Sequence, residues 1–140
     1  MMMRILGLDV GTKRIGVAIS DALLITAQGM GTIHRKELNV DLEEINRMVK
    51  ENDVSEIVAG LPISMNGTHS QKTKEVIEFI ENLKKVVSVP INTWDERLST
   101  VFAERALLEA DMSRAKRKKV TDKIAAQVIL QGYLDSRKKG

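Results

Sequence analysis

Three acidic residues far apart along the chain are candidates for joint chemistry: Asp9, Glu96 and Asp122. Asp9 lies in Gly7-Leu8-Asp9-Val10-Gly11-Thr12-Lys13-Arg14-Ile15-Gly16-Val17-Ala18-Ile19-Ser20. This stretch reads as a β-hairpin, with one strand over 4–10, a turn over 11–14 and a return strand over 15–20. Side chains alternate along a strand, so Ile5, Gly7 and Asp9 share a face. A carboxylate buried there without compensation costs several kcal/mol. A cation is one compensation; a strand-end Asp accepting backbone hydrogen bonds in the turn is the plainer one. Glu96 follows a short strand, Ile91-Asn92-Thr93-Trp94, within Asp95-Glu96-Arg97. Periodicity does not say whether Asp95 or Glu96 points inward, and a surface salt bridge explains the triplet as well. Asp122 shares a helix face with Ala125, Ala126, Ile129 and Tyr133 by i, i+3, i+4 spacing. The two alanines would let that face approach a sheet closely. Alternatively, Asp122 is a first-turn acid behind an N-cap Thr121, placed for the helix dipole. Asp21, just past the return strand, is a weaker candidate.

Carboxylates that converge repel one another, and the usual remedy is a hard cation with oxygen ligands, Mg²⁺ or Mn²⁺. The chain has no Cys, so thiolate metal sites and disulfides are excluded. Two such ions roughly 3.5–4 Å apart activate an attacking water and stabilise a leaving oxygen. Acidic ligands beside a basic rim suit phosphodiester hydrolysis. The rim candidates are Lys13, Arg14, Arg97, Arg114, Lys116, Arg117, Lys118 and Lys119. His34 and His69 are isolated, and His69, at the first position of a helix, reads as a surface residue rather than a ligand. Asn66-Gly67-Thr68 before a helix could bind an anion or be a plain capped turn.

The elements that must hold these residues can be read in outline. With 140 residues and 43% hydrophobic residues the chain suits one globular domain, 1–140. Aromatics make up only 3%, so the core is aliphatic and a base-stacking platform of the single-strand-binding kind is not expected. A third strand is expected over 28–34. Asp41 and Glu44 form a capping box for a first helix over about 42–52. A buried strand over 56–61 stops at Pro62. Thr68-His69-Ser70-Gln71 is a second capping box, opening a helix that runs to about 85. Ser99 or Thr100 caps a third helix; 114–119 is a loop or the approach to a helix, and the last helix covers about 120–136. The order β-β-β-α-β-α-β-α-α implies an α/β fold with a mixed five-stranded sheet and helices on both faces. Sites in such sheets form at the carboxyl ends of parallel strands. Residues 112–140 carry nine Lys or Arg against two Asp, on an otherwise acidic chain, which suggests a polyanion partner or merely solvated helix ends. No charged N-terminal leader and no apolar run of membrane-spanning length is present, so a cytoplasmic location without membrane contact is expected.

Four blocks taken in order resemble one family: Gly7 through Ala18, Gly60-Leu61-Pro62 with Asn66-Gly67-Thr68, Asp95-Glu96-Arg97-Leu98-Ser99-Thr100, and Lys116 through Ala126. The chain resembles the bacterial YqgF family, also described as Holliday junction resolvases, over nearly its whole length. The resemblance implies a ribonuclease H-like fold and a nuclease that matures the 5′ end of the small-subunit ribosomal RNA precursor, branched DNA being the other substrate. It implies Asp9, Glu96 and Asp122 as the catalytic, metal-holding trio. The chain departs from the family at Ile63-Ser64 and at His69-Ser70-Gln71, which touch a loop and not the trio.

Two other readings compete. An Asp-x-Gly-Thr hairpin also occurs in actin-like ATPases and sugar kinases, but these need two related domains, and the motif has no second copy here. A non-catalytic RNA-binding or ribosome-assembly module fits the basic C-terminal end but has no need of an acidic trio. The expected protein is a metal-dependent endonuclease on structured nucleic acid, with rRNA precursor, branched DNA or ribosomal particles as partners. It would act as a monomer or a weak homodimer.

Overall fold

The computed structural model describes residues 3–63, 66–96 and 114–138, with side chains in the last stretch described for 124–137. The strands are β1 (Arg4–Val10), β2 (Arg14–Ser20), β3 (Ala27–His34), β4 (Val54–Leu61) and β5 (Ile91–Asp95). The helices are α1 (Leu38–Glu51), α2 (Gln71–Lys84) and α3 (Arg114–Lys138). The strands form one sheet in the order β3-β2-β1-β4-β5. β1 pairs antiparallel with β2, and β2 with β3; β1, β4 and β5 run parallel. The expected mixed α/β sheet is therefore present, and its hairpin half and parallel half join at β1.

Alternation along β1 divides the core in two. Leu6, Leu8 and Val10 pack with Ile45 and Val49 of α1 and with Phe79, Ile80 and Leu83 of α2. Ile5, on the opposite face, packs with Ala126, Leu130 and Leu134 of α3. Helices thus cover both faces, as the element order implied. Trp94 of β5 joins Ala125 and Ile129 in extending the α3 side.

Three helix starts differ from the sequence expectation. α1 begins at Leu38, so Asp41 is not its N-cap; the N-cap is Glu37, which makes no side-chain cap. Asp41 instead folds back on the preceding segment, accepting from the Lys36 backbone N–H at 3.0 Å. Glu44 does not reach back either, but pairs with Arg47 on the surface. α2 does have a capping box, but it is Ser70 with Thr73, two residues later than expected. The Thr73 hydroxyl also donates to the Pro62 carbonyl, which ties this register to the end of β4. His69 therefore precedes the cap rather than occupying the first helical position, and it is exposed. α3 begins at Arg114, so the basic run 114–119 is helical rather than a loop. That run is made of Arg, Ala and Lys, which are strong helix formers. The expected helix capped by Ser99 or Thr100 lies outside the described residues.

The far end of α3 is clamped to the sheet. The Tyr133 hydroxyl donates to Glu56, Asn92 Nδ2 donates to the same carboxylate at 2.7 Å, and Arg137 pairs with it at 2.9 Å. Burial, then the bond to Glu56, holds the Tyr133 phenol above its ordinary value. The protonated phenol is thus favoured in the fold. Its contribution is fully present below about pH 10, the unfolded value, and is lost as pH rises through the raised folded value. Tyr133→Phe should cost about 1 kcal/mol at neutral pH. It should also flatten the alkaline fall in stability above pH 10, read by urea unfolding across that range; an unchanged alkaline limb would show that the clamp does not titrate.

Candidate active site

Asp9 is the penultimate residue of β1 and pairs with Gly16 of β2. Glu96 follows β5 directly. Both are buried, Asp9 at 7% and Glu96 at 2% relative exposure. Between their strands runs β4, whose Gly60 pairs with Trp94. Asp9 and Gly60 each stand one residue past the Leu8–Ala59 pair. A Cβ on Gly60 would lie 3.3 Å from Glu96 Cγ and 2.4 Å from Ile129 Cδ1. The Glu96 chain therefore lies over Gly60 on the α3 face, the face that alternation assigns to Asp9 as well. Two carboxylates from opposite ends of the parallel half thus share one face and one end of the sheet. That Glu96 and not Asp95 is the buried member resolves a choice that periodicity left open; Asp95, paired with Leu61, is half-buried.

α3 runs against β1 so as to bring its start to the same end. Tyr133 meets Glu56 near the start of β4, and Ala126 and Leu130 meet Gly7 in the middle of β1. At Gly7 a Cβ would be 2.8 Å from Leu130 Cβ and 3.2 Å from the Ala126 carbonyl oxygen, so only glycine permits this approach. Position 122 is one helical turn before Ala126, about 6 Å along the axis, and Asp9 is two residues beyond Gly7, about 7 Å along the strand. Because α3 begins at Arg114, Asp122 lies inside the helix, and the reading of Asp122 as a first-turn acid behind an N-cap Thr121 is overturned. The side chain of Asp122 lies outside the described residues, as do Arg97 and the side chains of Arg114, Lys116, Arg117, Lys118 and Lys119.

The other candidates separate clearly. Lys13 is exposed in the turn that follows Asp9, and Arg14, the first residue of β2, is half-buried. Asp21 serves its own loop. Its Oδ1 accepts from the Ile25 and Thr26 backbone N–H groups at 2.7 and 2.9 Å, and these bonds hold its carboxyl below the ordinary range. His34, at the end of the edge strand β3, is exposed. Asn66-Gly67-Thr68 is the tight turn expected, with Asn66 Oδ1 accepting from the Thr68 backbone N–H at 3.1 Å and Gly67 at φ 84°.

The sequence reading missed Arg35. Its Nη1 donates to the Gly11 carbonyl at 2.9 Å, its Nε approaches Asp41 Oδ2 at 3.4 Å, and its guanidinium lies 5.0 Å from the Phe79 ring centre. The one available signal was Asp41, which the capping-box pattern claimed for another role.

Comparison with known proteins agrees with this architecture. Residues 3–136 match the profile of the RuvX family, described as Holliday junction resolvase. A relative from Clostridium novyi (strain NT), provisionally named a pre-16S rRNA nuclease, is 58% identical over 134 residues, covering 96% of this chain and 99% of its own length. One from Desulforamulus reducens, with the same provisional name, is 54% identical, covering 96% and 98%. Among solved structures, Thermus thermophilus RuvC superposes with a TM-score of 0.60 at 11% identity, covering 98% of this chain and 97% of that one. The fowlpox virus Holliday junction resolvase does so at 0.57 and 14%, covering 96% and 99%. These last two likenesses show the fold, the ribonuclease H-like one that the sequence blocks implied. With its family profile matched from the first strand to the last helix, and relatives above half identity along the same span, this chain belongs to the RuvX Holliday junction resolvase family.

Proposed function

We propose that this protein is a divalent-metal-dependent phosphodiester endonuclease that trims the 5′ end of the small-subunit rRNA precursor. The observation that carries the reading is the burial of Asp9 and Glu96 on one face at the carboxyl end of the parallel strands. Two carboxylates on one face make an all-oxygen donor set, which suits Mg²⁺ or Mn²⁺. Asp9, Glu96 and Asp122 would hold one or two such ions. When bound, the metal supplies the charge that activates water and stabilises the leaving oxygen. The chain itself supplies position: Gly60 leaves room for the Glu96 side chain, and Gly7 lets α3 bring position 122 toward the end of β1. Lys13, Arg14, Arg97, Arg114, Lys116, Arg117, Lys118 and Lys119 are the residues proposed to rest on backbone phosphates, which also makes binding steeply salt-dependent. The protein works as a single domain in the cytoplasm, as a monomer or weak homodimer, on free precursor or on ribosomal particles. The provisional name of the relatives favours RNA over branched DNA.

The test offers the purified protein two substrates with Mg²⁺: a small-subunit rRNA transcript carrying its 5′ extension, and a four-way DNA junction. The expected result is one cut near the RNA 5′ end that stops when EDTA is added. Cutting of the junction alone would transfer the substrate to branched DNA. Binding of RNA with neither substrate cut would make the protein an assembly module.

A further inference from the structure

Among the described residues, the turn between β1 and β2 is closed by a backbone bond from the Gly11 N–H to the Arg14 carbonyl at 2.8 Å. Arg35 holds two of its carbonyls from outside. The Arg35 side chain donates to the Gly11 carbonyl at 2.9 Å, and the Arg35 backbone N–H donates to the Lys13 carbonyl at 2.9 Å. Arg35 is in turn fixed by Asp41, which is 2% exposed and lies in the first turn of α1. A buried carboxylate is retained only when its oxygens are satisfied. Asp41 meets that need by accepting from the Lys36 N–H and from Arg35, and so locks segment 35–41 around the turn. The planar guanidinium reaches the Gly11 carbonyl and Asp41 together while resting on the Phe79 ring. A lysine ammonium has no such fork.

We infer that Arg35 and Asp41 are positioning residues that set the β1–β2 turn, so that Lys13 meets the nucleic-acid backbone in register with Asp9. The role assigned to Lys13 rests on the nuclease reading above; the anchoring of the turn does not. The pair touches no substrate. It acts through the turn, which begins two residues after Asp9.

The experiment has two arms, each on the full-length protein. The first measures amide hydrogen exchange by NMR in the parent, Arg35→Lys and Asp41→Asn. Exchange of the Gly11 and Arg35 amides should rise at least about tenfold in both variants, while that of Leu6 and Leu8 in β1 stays put. Unchanged exchange at Gly11 overturns the proposal, whatever the protein's function. The second measures binding of a labelled RNA hairpin in EDTA, so that no cleavage intervenes, across a cycle of Arg35→Lys and Lys13→Ala. Each single change should weaken binding about five- to tenfold. Lys13→Ala should add less than about twofold in the Arg35→Lys background, because the misplaced turn has already lost that contact. Independent, multiplying effects would overturn the positioning role. A parent that binds no RNA would instead sink the reading of function and leave the exchange arm to decide the anchoring. Arg35→Lys keeps the charge and most of the aliphatic stem, so a general loss of fold, checked by thermal melting, is not the expected outcome.

Discussion

Asp9→Asn should lower the rate of nucleic-acid cleavage by at least about a thousandfold and leave binding of the same substrate within about threefold of the parent. The magnitude follows from the work assigned to the carboxylate. A bound divalent ion supplies several kcal/mol of transition-state stabilisation, and each 1.4 kcal/mol is tenfold in rate. Asparagine keeps the shape and one oxygen but removes the charge proposed to hold the ion. Calorimetric titration with Mn²⁺ should accordingly show much weaker uptake by the variant. The proposed phosphate contacts are elsewhere, on the turn and on the basic stretch, so substrate affinity should survive. Without metal the variant should melt at the same temperature as the parent or higher. Asp9 is buried, and exchanging a buried carboxylate for a neutral amide of the same shape lowers the desolvation cost of the site. Cleavage at the parental rate by Asp9→Asn protein would end the metal mechanism. A variant that melts well below the parent would show instead that the Asp9 charge supports the fold.

What could be read from the sequence, and what could not, divides by how local the deciding force is. The face shared by Ile5, Gly7 and Asp9 follows from strand alternation alone, and the structure sets Ile5 and Gly7 against α3 accordingly. The turn over 66–68 follows from residue chemistry three positions wide, and it too is present. The element starts failed where two local patterns competed and a distant contact chose between them. Thr68 and Ser70 are both good N-caps. The contact of Thr73 with the Pro62 carbonyl, eleven residues away, goes with Ser70. Asp41 and Glu44 have capping-box spacing, but Arg35 draws the Asp41 carboxylate back out of that role, so α1 starts a turn earlier. Glu96 was unreadable for a related reason. Its burial depends on Gly60 of a neighbouring strand having no side chain, and no periodicity within residues 95–97 carries that information.

The glycines that make room for α3 give the last expectation. Gly7→Ala should destabilise the protein by about 2–3 kcal/mol, the upper part of the range for overpacking, and lower the melting temperature by roughly 10 °C. The new methyl would stand 2.8 Å from Leu130 Cβ and 3.2 Å from the Ala126 carbonyl oxygen. Neither atom can turn aside, so the helix itself must lift. Gly60→Ala differs in kind. Its nearest neighbour, at 2.4 Å, is Ile129 Cδ1, the free end of a flexible side chain. Shortening that side chain removes its Cδ1 and leaves only Cγ1, at 3.1 Å, so the cost of Gly60→Ala should fall by about half or more in an Ile129→Val background. The cost of Gly7→Ala should be unmoved by Leu130→Ala, which keeps the offending Cβ. Urea unfolding of the two double-mutant cycles measures both couplings. Rescue of Gly7→Ala by Leu130→Ala would mean that the helix backbone does not approach β1 as closely as described. The route by which position 122 reaches the level of Asp9 would then be lost. Absence of rescue at Gly60 would instead assign its cost to Glu96, whose Cγ is 3.3 Å from the same methyl, and cleavage by Gly60→Ala should then fall more steeply than its stability.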